Sequence, residues 1–382
     1  MITLEYYTSI EQISKEEWTL ASSPQDVFLQ YDYLSFLEKF PPIGLSFAYV
    51  IYYSDHKPVG AAYFQISGFD VSKSLSGYFS KGKLPAFSEA LAKSLKFNSL
   101  VSGNLLLTGE HGFYFKPVVE SQRQLLMMKA IRTVRTRIKK EGRGATLNFV
   151  KDFHLEQDQF LKKQCGEFDF HPNMILDIHK DWSIFEDYLD SMTTKYRTRA
   201  KRAFKKLEPV KLVKLSLQDM EVLNVRIYQL YARIAKNVGF NLVELHPNYF
   251  LEIKRIFGDK YEVWGAFDGE QLIGFYTTMH NYDELETGFL GFDDAYNPTH
   301  QLYLNFLYSM VKQGIEKKVS RIVFARTAME IKSSIGAEPV KMHTYIKHQS
   351  KVVNAMLPHL VKWLSPPQDW VQRKPFKHQA ED

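Results

Sequence analysis

Tyr49-Val50-Ile51-Tyr52-Tyr53-Ser54-Asp55-His56-Lys57-Pro58-Val59-Gly60-Ala61-Ala62-Tyr63-Phe64 and Glu262-Val263-Trp264-Gly265-Ala266-Phe267-Asp268-Gly269-Glu270-Gln271-Leu272-Ile273-Gly274-Phe275-Tyr276-Thr277 share one pattern. Each is a β-rich run, a turn containing Asp, and an apolar-Gly step into a second β-rich run, which reads as a hairpin joining two buried strands. After a further strand, each copy continues into a long amphipathic helix and an apolar strand. The first runs through Ser121 to Lys140 into Ala145-Thr146-Leu147-Asn148-Phe149-Val150, the second through Thr299 to Lys318 into Arg321-Ile322-Val323-Phe324-Ala325. Repetition on this scale predicts an α/β chain with mixed, α+β-type sheets, built as two tandem units.

The spacing differs between the copies. Gly60 and Leu147 are 87 positions apart, Gly274 and Val323 only 49, so the first copy carries 38 extra residues. They fit a loop insertion at about 67–104, rich in Ser, Gly and Lys and without sustained periodicity, which folded domains tolerate.

At 382 residues the chain exceeds what one hydrophobic core supports. Its 45% hydrophobic and 14% aromatic content supplies two cores and excludes wholesale disorder. The start, Met1-Ile2-Thr3-Leu4-Glu5-Tyr6-Tyr7, lacks the features of a signal peptide, and no apolar run reaches the length of about 18 residues that a membrane helix needs. Cys165, the single cysteine, cannot form an internal disulfide. These features predict a cytoplasmic chain without a transmembrane segment.

The net charge of +6 is modest, but it is unevenly spread. Lys195, Arg197, Arg199, Lys201, Arg202, Lys205 and Lys206 place seven basic residues in twelve positions with no acid among them. Tyr196, Ala200, Ala203, Phe204 and Leu207 supply an apolar stripe, and Thr193 or Thr194 supplies a cap. One reading is a solvated helix face. The other is a surface that binds polyanionic phosphate of a nucleotide-bearing cofactor, an RNA end or a lipid headgroup, with Arg197, Arg199 and Lys201 as contacts.

The first unit is expected over residues 1–178. The second is expected over 179–350, opening with helices over 184–207, 219–237 and 246–257 and closing with a last strand through Tyr345 and Ile346. Residues 351–382 read as a C-terminal helix, Val352 to Leu364, followed by a loose tail. The strand Met174 to Ile178 is placed at the end of the first unit but is able to pair into either.

Several motifs fail. Gly77-Tyr78-Phe79-Ser80-Lys81-Gly82-Lys83 has P-loop spacing, but Leu84 stands where a metal-binding hydroxyl is needed. The 12 His form no His-Glu-x-x-His, and one Cys excludes thiolate-rich metal centres, so no metal site is expected.

The order hairpin, strand, helix, strand resembles the GNAT acyltransferase fold. Two copies in tandem resemble the Fem-type peptidyl and aminoacyl transferases, a bacterial group related to peptidoglycan biosynthesis. Local similarity lies in Asn297-Pro298 to Lys318, the strand to Phe324, and Arg326-Thr327-Ala328-x-x-x-Lys332-x-x-x-Gly336, together with the Lys195 to Lys206 segment. The resemblance implies an N-acyltransferase moving an acyl or aminoacyl group onto an amine, with acyl-CoA or aminoacyl-tRNA as donor. The acceptor would be a small-molecule or peptidoglycan-precursor-like amine, and tRNA a possible partner. An ordinary GNAT enzyme holds the coenzyme A pyrophosphate on a glycine-rich loop. The matching stretches here, Asp293 to His300 and Lys116 to Ser121, contain no glycine.

Acyl transfer to an amine needs a polarised carbonyl, a stabilised oxyanion and an acceptor for the ammonium proton. Lys332 is expected to place a cation beside the oxyanion, and Arg326 to hold a phosphate or carboxylate in a two-pronged contact. Glu286 is a candidate proton acceptor, with Asp283 beside it, and Tyr303 a candidate hydroxyl donor. His300, Thr327 and Glu330 complete the expected binding residues. A contrasting expectation is a catalytically inactive GNAT-fold module that holds an anionic partner through the basic helix.

Overall fold

The computed structural model describes residues 2–70, 96–153, 161, 165–169, 171–237, 243–364 and 370–377. The chain divides into two compact units. One comprises Met1–Phe170, Val238–His246 and Met342–Pro367, and the other His171–Asn237, Pro247–Lys341 and Gln368–Asp382.

The sheet of the first unit runs in the order β1 (Ile2–Tyr7), β2 (Leu45–Ser54), β3 (Lys57–Asp70), β4 (Lys96–Ser102), β6 (Leu147–Phe153), β15 (His343–His348) and β7 (Gly166–Asp169), with β5 (Phe113–Phe115) also on β3. The sheet of the second runs β9 (Val210–Lys214), β10 (Tyr261–Asp268), β11 (Gln271–Asn281), β12 (Glu284–Phe292), β13 (Arg321–Val323), β8 (Asn173–Asp177) and β14 (Glu338–Val340). The two orders correspond position by position. Each contains one parallel pair, β4 with β6 and β12 with β13, amid antiparallel neighbours. A helix covers each parallel crossover, Arg123–Lys140 in the first unit and Leu302–Glu316 in the second.

The hairpins match in detail. In the first, Tyr52 pairs with Gly60 but Tyr53 with Pro58; in the second, Ala266 pairs with Gly274 but Phe267 with Leu272. One residue is therefore bulged out in each, Val59 and Ile273. Their carbonyls accept the N–H of Lys116 (2.9 Å) and Asp293 (2.8 Å), which open the connection to the long helix. The following glycines are close-approach positions: a Cβ would lie 2.7 Å from the Tyr114 carbonyl at Gly60 and 2.9 Å from the Phe306 ring at Gly274.

The core of the first unit places Met127, Ile131, Val134 and Ile138 of its long helix against Val50, Ala62, Phe64 and Leu100. Each such side chain contributes roughly 1.5–3 kcal/mol on burial. In the second unit Phe306, Leu307, Met310 and Val311 meet Ala266, Ile273, Tyr276 and Ile322.

Three expectations change. Strand β8 pairs with β13 and β14, while β15 pairs with β6 and β7. The chain thus places residues 173–177 in the second unit and 343–348 in the first, and the continuous bounds 1–178 and 179–350 miss this exchange. Residues 96–102, expected as loop insertion, form the inner strand β4, whereas the expected strand at Leu105 to Leu107 is a loop. Residues 71–95, including the Gly77 to Lys83 motif, lie outside the described residues. Third, residues 370–377 are docked on the second unit. Phe376 is 3% exposed, bridges Met192, and packs tilted against Trp182 (5.3 Å) and edge-on to Tyr188 (5.9 Å). Gly336, at φ 97°, makes room for its ring, because a Cβ there would collide with it.

Among the described residues no helix is long and apolar enough to cross a membrane.

Candidate active site on the second unit

Strands β12 and β13 pair only over Glu284–Glu286 with Arg321–Val323. Beyond that point β12 bulges, since Thr278 faces Thr287 but Tyr276 faces Leu290. Thr287 fixes the junction by donating from Oγ1 to the Val323 carbonyl (2.9 Å). Past β13 the chain turns left-handed at Ala325 (φ 58°) and Ala328 (φ 53°) and enters the helix Met329–Ser333. Gln301, between the helices Asn297–His300 and Leu302–Glu316, is also left-handed (φ 49°). Each such non-Gly conformation costs about 1–3 kcal/mol and is held only by its surroundings.

These segments meet the basic helix Thr194–Leu207 around a cavity of about 660 Å3. It is lined by Lys195, Tyr196, Thr198, Arg199, Arg202, Gln301, Glu330, Ile331 and Arg373. Four cations and one carboxylate surround it, a balance that attracts anions. Glu330 accepts from Arg373 Nε at 3.1 Å, with a second bond from the same guanidinium. Arg373 holds the Glu330 carboxyl below the usual range, and Arg199 adds to the effect.

Of the residues expected from the sequence, Arg199 and Glu330 line this cavity. Arg197 instead pairs with Asp190 (3.1 Å), and Lys201 is exposed outside the lining. His300 precedes Gln301 and shares a hydrogen bond with Thr299 Oγ1 (2.8 Å). Thr327 is exposed; Arg326 is half-buried, and burial followed by the Arg326 charge lowers the pKa of His171. Glu286 is buried at 6% exposure, at the last position where β12 pairs with β13. Tyr303 packs beside Phe292 (6.3 Å), where burial raises its pKa and keeps the phenol protonated.

Lys332 has a different setting from the one its place in the sequence leads one to expect. It is 4% exposed, and its Nζ donates to the carbonyls of Phe324 and Ala325 (3.3 Å for the latter), just past β13. Burial pushes its pKa down to about 7. A neutral amine still has two N–H groups for the two carbonyls.

Sequence reasoning missed Arg373, Gln301 and Ile331 as lining residues, and left Lys195 and Arg202 undistinguished within the basic run. Lys195, Arg199 and Arg202 recur at spacings of four and three, a helical stripe that was readable. For Arg373 no local signal exists, because it arrives through the docked segment 370–377.

In the loop ahead of the long helix, polar groups are paired with protein partners. Tyr303 N–H donates to Asn297 Oδ1 (3.1 Å), and Arg233 (2.7 Å) and Arg226 (3.8 Å) hold the Asp293 carboxylate. Among the described residues no group of three His, Cys, Asp or Glu is placed to hold a metal ion.

No family model matches this chain, and no curated protein matches it by sequence. Solved structures do match. The crystal structure of FemX aligns with a TM-score of 0.53 at 11% identity, over 94% of this chain and 100% of that one. A tandem GNAT protein from the clavulanic acid biosynthesis pathway, solved without acetyl-CoA, aligns at 0.51 and 12% identity, over 92% and 99%. The chain has this tandem GNAT, Fem-like fold, with mixed sheets in both units.

Proposed function

We propose that this chain is an N-acyltransferase whose second unit binds a phosphate-bearing substrate in the cationic cavity and passes an acyl or aminoacyl group to an amine. The observation that carries this reading is the convergence of Lys195, Arg199, Arg202 and Arg373 around one cavity, beside three left-handed residues at the strand and helix ends. The likeness to FemX and to a tandem GNAT protein supports the reaction class.

In this reading Glu286 accepts the proton of the incoming ammonium, and Arg326 and Arg199 hold the anionic part of a substrate. Tyr303, kept protonated by burial, donates a hydrogen bond. Lys332 acts as a positioning residue: it fixes the carbonyls past β13 and so the path of the chain into Glu330. The glycine-free loop at Asp293 to Asn297, its Asp293 held by Arg233 and Arg226, disfavours coenzyme A bound in the usual manner and favours aminoacyl-tRNA as donor, with a small-molecule or peptidoglycan-precursor-like amine as acceptor and the cytoplasm as the place of reaction.

The test is transfer of a radiolabelled acyl group by the full chain from acetyl-CoA and, separately, from aminoacyl-tRNA to a panel of peptide amines. Transfer that disappears in Arg199→Glu/Arg202→Glu supports the proposal. Transfer from neither donor, with anion binding retained, would establish the inactive binding module instead.

A further inference from the structure

Given the anion binding proposed for the cavity, on which this inference rests, the residues of the cavity wall also control its occupancy. Arg373 is the lining cation that the basic helix does not supply, and its guanidinium already grips a carboxylate. The grip is two-pronged, from Nε and a terminal nitrogen onto one Glu330 oxygen, and an Arg fork of this kind serves a phosphate equally well. Both side chains are open to solvent, 38% for Arg373 and 48% for Glu330, and exposed pairs of this kind are held weakly.

The main chain of this segment is anchored independently of the pair. Arg373 N–H donates to Ser333 Oγ (3.0 Å), Pro375 O accepts from Thr193 N–H (2.9 Å), and Phe376 is buried among Trp182 and Tyr188. The Arg373 side chain is therefore able to change partner while the backbone stays docked. Glu330 is the one carboxylate among the lining residues and faces Arg199 as well as Arg373.

We propose that Glu330 is an internal stand-in for the ligand's phosphate: it occupies Arg373 in the empty cavity, and a phosphate-bearing ligand displaces it and takes the guanidinium. Segment 370–377 is then part of the binding site, and Glu330 sets the affinity threshold that a ligand must exceed. A singly charged ligand competes poorly with Glu330; a diphosphate, with more charge and more acceptor oxygens, competes well.

The experiment is calorimetric titration of the full chain with inorganic pyrophosphate, in wild type, Glu330→Gln, Arg373→Gln, the double variant and Arg199→Gln, with Tm recorded for each. Glu330→Gln is expected to bind about three- to tenfold tighter, and Arg373→Gln about tenfold weaker, as for loss of one charge-assisted contact. The double variant should gain much less over Arg373→Gln than Glu330→Gln gains over wild type, because only the charge of Glu330 beside Arg199 is then left to remove. Weaker or unchanged binding in Glu330→Gln, or unchanged binding in Arg373→Gln while Arg199→Gln weakens it, overturns this proposal and leaves the cavity reading standing. No binding to wild type overturns both.

Discussion

Asp152 and Ala325 stand at the same place in their units, two residues past the last parallel pair (Ser102 with Val150, Glu286 with Val323), and both are left-handed, with φ of 62° and 58°. What surrounds them differs. Asp152 is fully buried; it pairs with Lys151 and accepts from Gly109 N–H (3.1 Å), while Lys151 also donates to the Leu107 carbonyl (2.5 Å). That strand end is closed by its own loop. At Ala325 a lysine from the following helix ties off the carbonyl, and that same helix contributes Glu330 and Ile331 to an open cationic cavity. This contrast supports the proposal that the chemistry lies on the second unit.

Lys332→Met tests the capping role. Removing the amine takes away the Phe324 carbonyl's side-chain donor, while the Ala325 carbonyl keeps the N–H of Met174 (3.2 Å), at a cost of about 1–3 kcal/mol. Because burial lowers the folded-state pKa to about 7 from the ordinary 10.5, the unfolded chain binds more protons between those values, and wild-type stability rises with pH across that window. The wild-type advantage over Lys332→Met, measured by urea unfolding, should therefore be larger at pH 9.5 than at pH 7. A smaller advantage at high pH would mean that the group is held as a cation.

Glu262 supplies an acid-side counterpart in the second unit. Burial alone would raise its pKa, but hydrogen bonds from Lys317, Lys214 and Trp264 outweigh it and bring the carboxyl down to about 2. Gln313 also donates to it, and the Lys317 and Lys214 contacts are 2.8 and 2.9 Å. A depressed carboxyl contributes stability above its unfolded value of 4.5 that is lost as pH falls through the folded value. Glu262→Gln should cost about 2–3 kcal/mol at pH 7, with the gap to wild type closing between pH 4.5 and about 2. A gap independent of pH would assign the effect to packing.

The basic helix should divide by face. Arg199→Glu/Arg202→Glu should leave Tm nearly unchanged, since exposed charges contribute within about 0.5 kcal/mol, but reduce the salt slope of binding to a short RNA by about two. Arg197→Glu/Lys201→Glu, outside the cavity lining, should leave that slope nearly at its wild-type value. Equal slopes for the two double variants would turn the helix into a diffuse solvated surface.

Gly336→Ala should loosen the docked segment, because the residue is left-handed and its Cβ would meet the Phe376 ring. The expected loss is about 1–3 kcal/mol, accompanied by faster tryptic cleavage after Arg373 in the folded chain. Unaltered cleavage would show that the ring shifts without releasing the segment.

The hairpins were legible because their signals are local: alternating strands, turn residues tolerant of positive φ at Asp55, His56 and Gly269, and a glycine at each close approach. Strand β4 was hidden because Lys96-Phe97-Asn98-Ser99-Leu100-Val101-Ser102 buries serines at 99 and 102 in place of apolar residues. Leu105 to Leu107 looked like a strand, yet the side chains of Gln65 and Asn104 take the N–H groups of Leu105 and Leu106 and hold them in a loop. The placement of β8 and β15 and the arrival of Arg373 depend on partners far along the chain, which periodicity does not encode. The basic stripe was visible as charge; which of its residues face a cavity was decided by the neighbouring Gln301 and Glu330.

Whether the second unit holds a phosphate-bearing substrate among Arg199, Arg202 and Arg373 is decided by crystals of the full chain soaked in tungstate, a phosphate mimic with a strong anomalous signal. An anomalous peak is expected within hydrogen-bonding reach of those guanidinium groups, absent from crystals of Arg199→Glu/Arg202→Glu. A peak confined to the first unit, or no peak in the cavity at concentrations that saturate binding in solution, would contradict it.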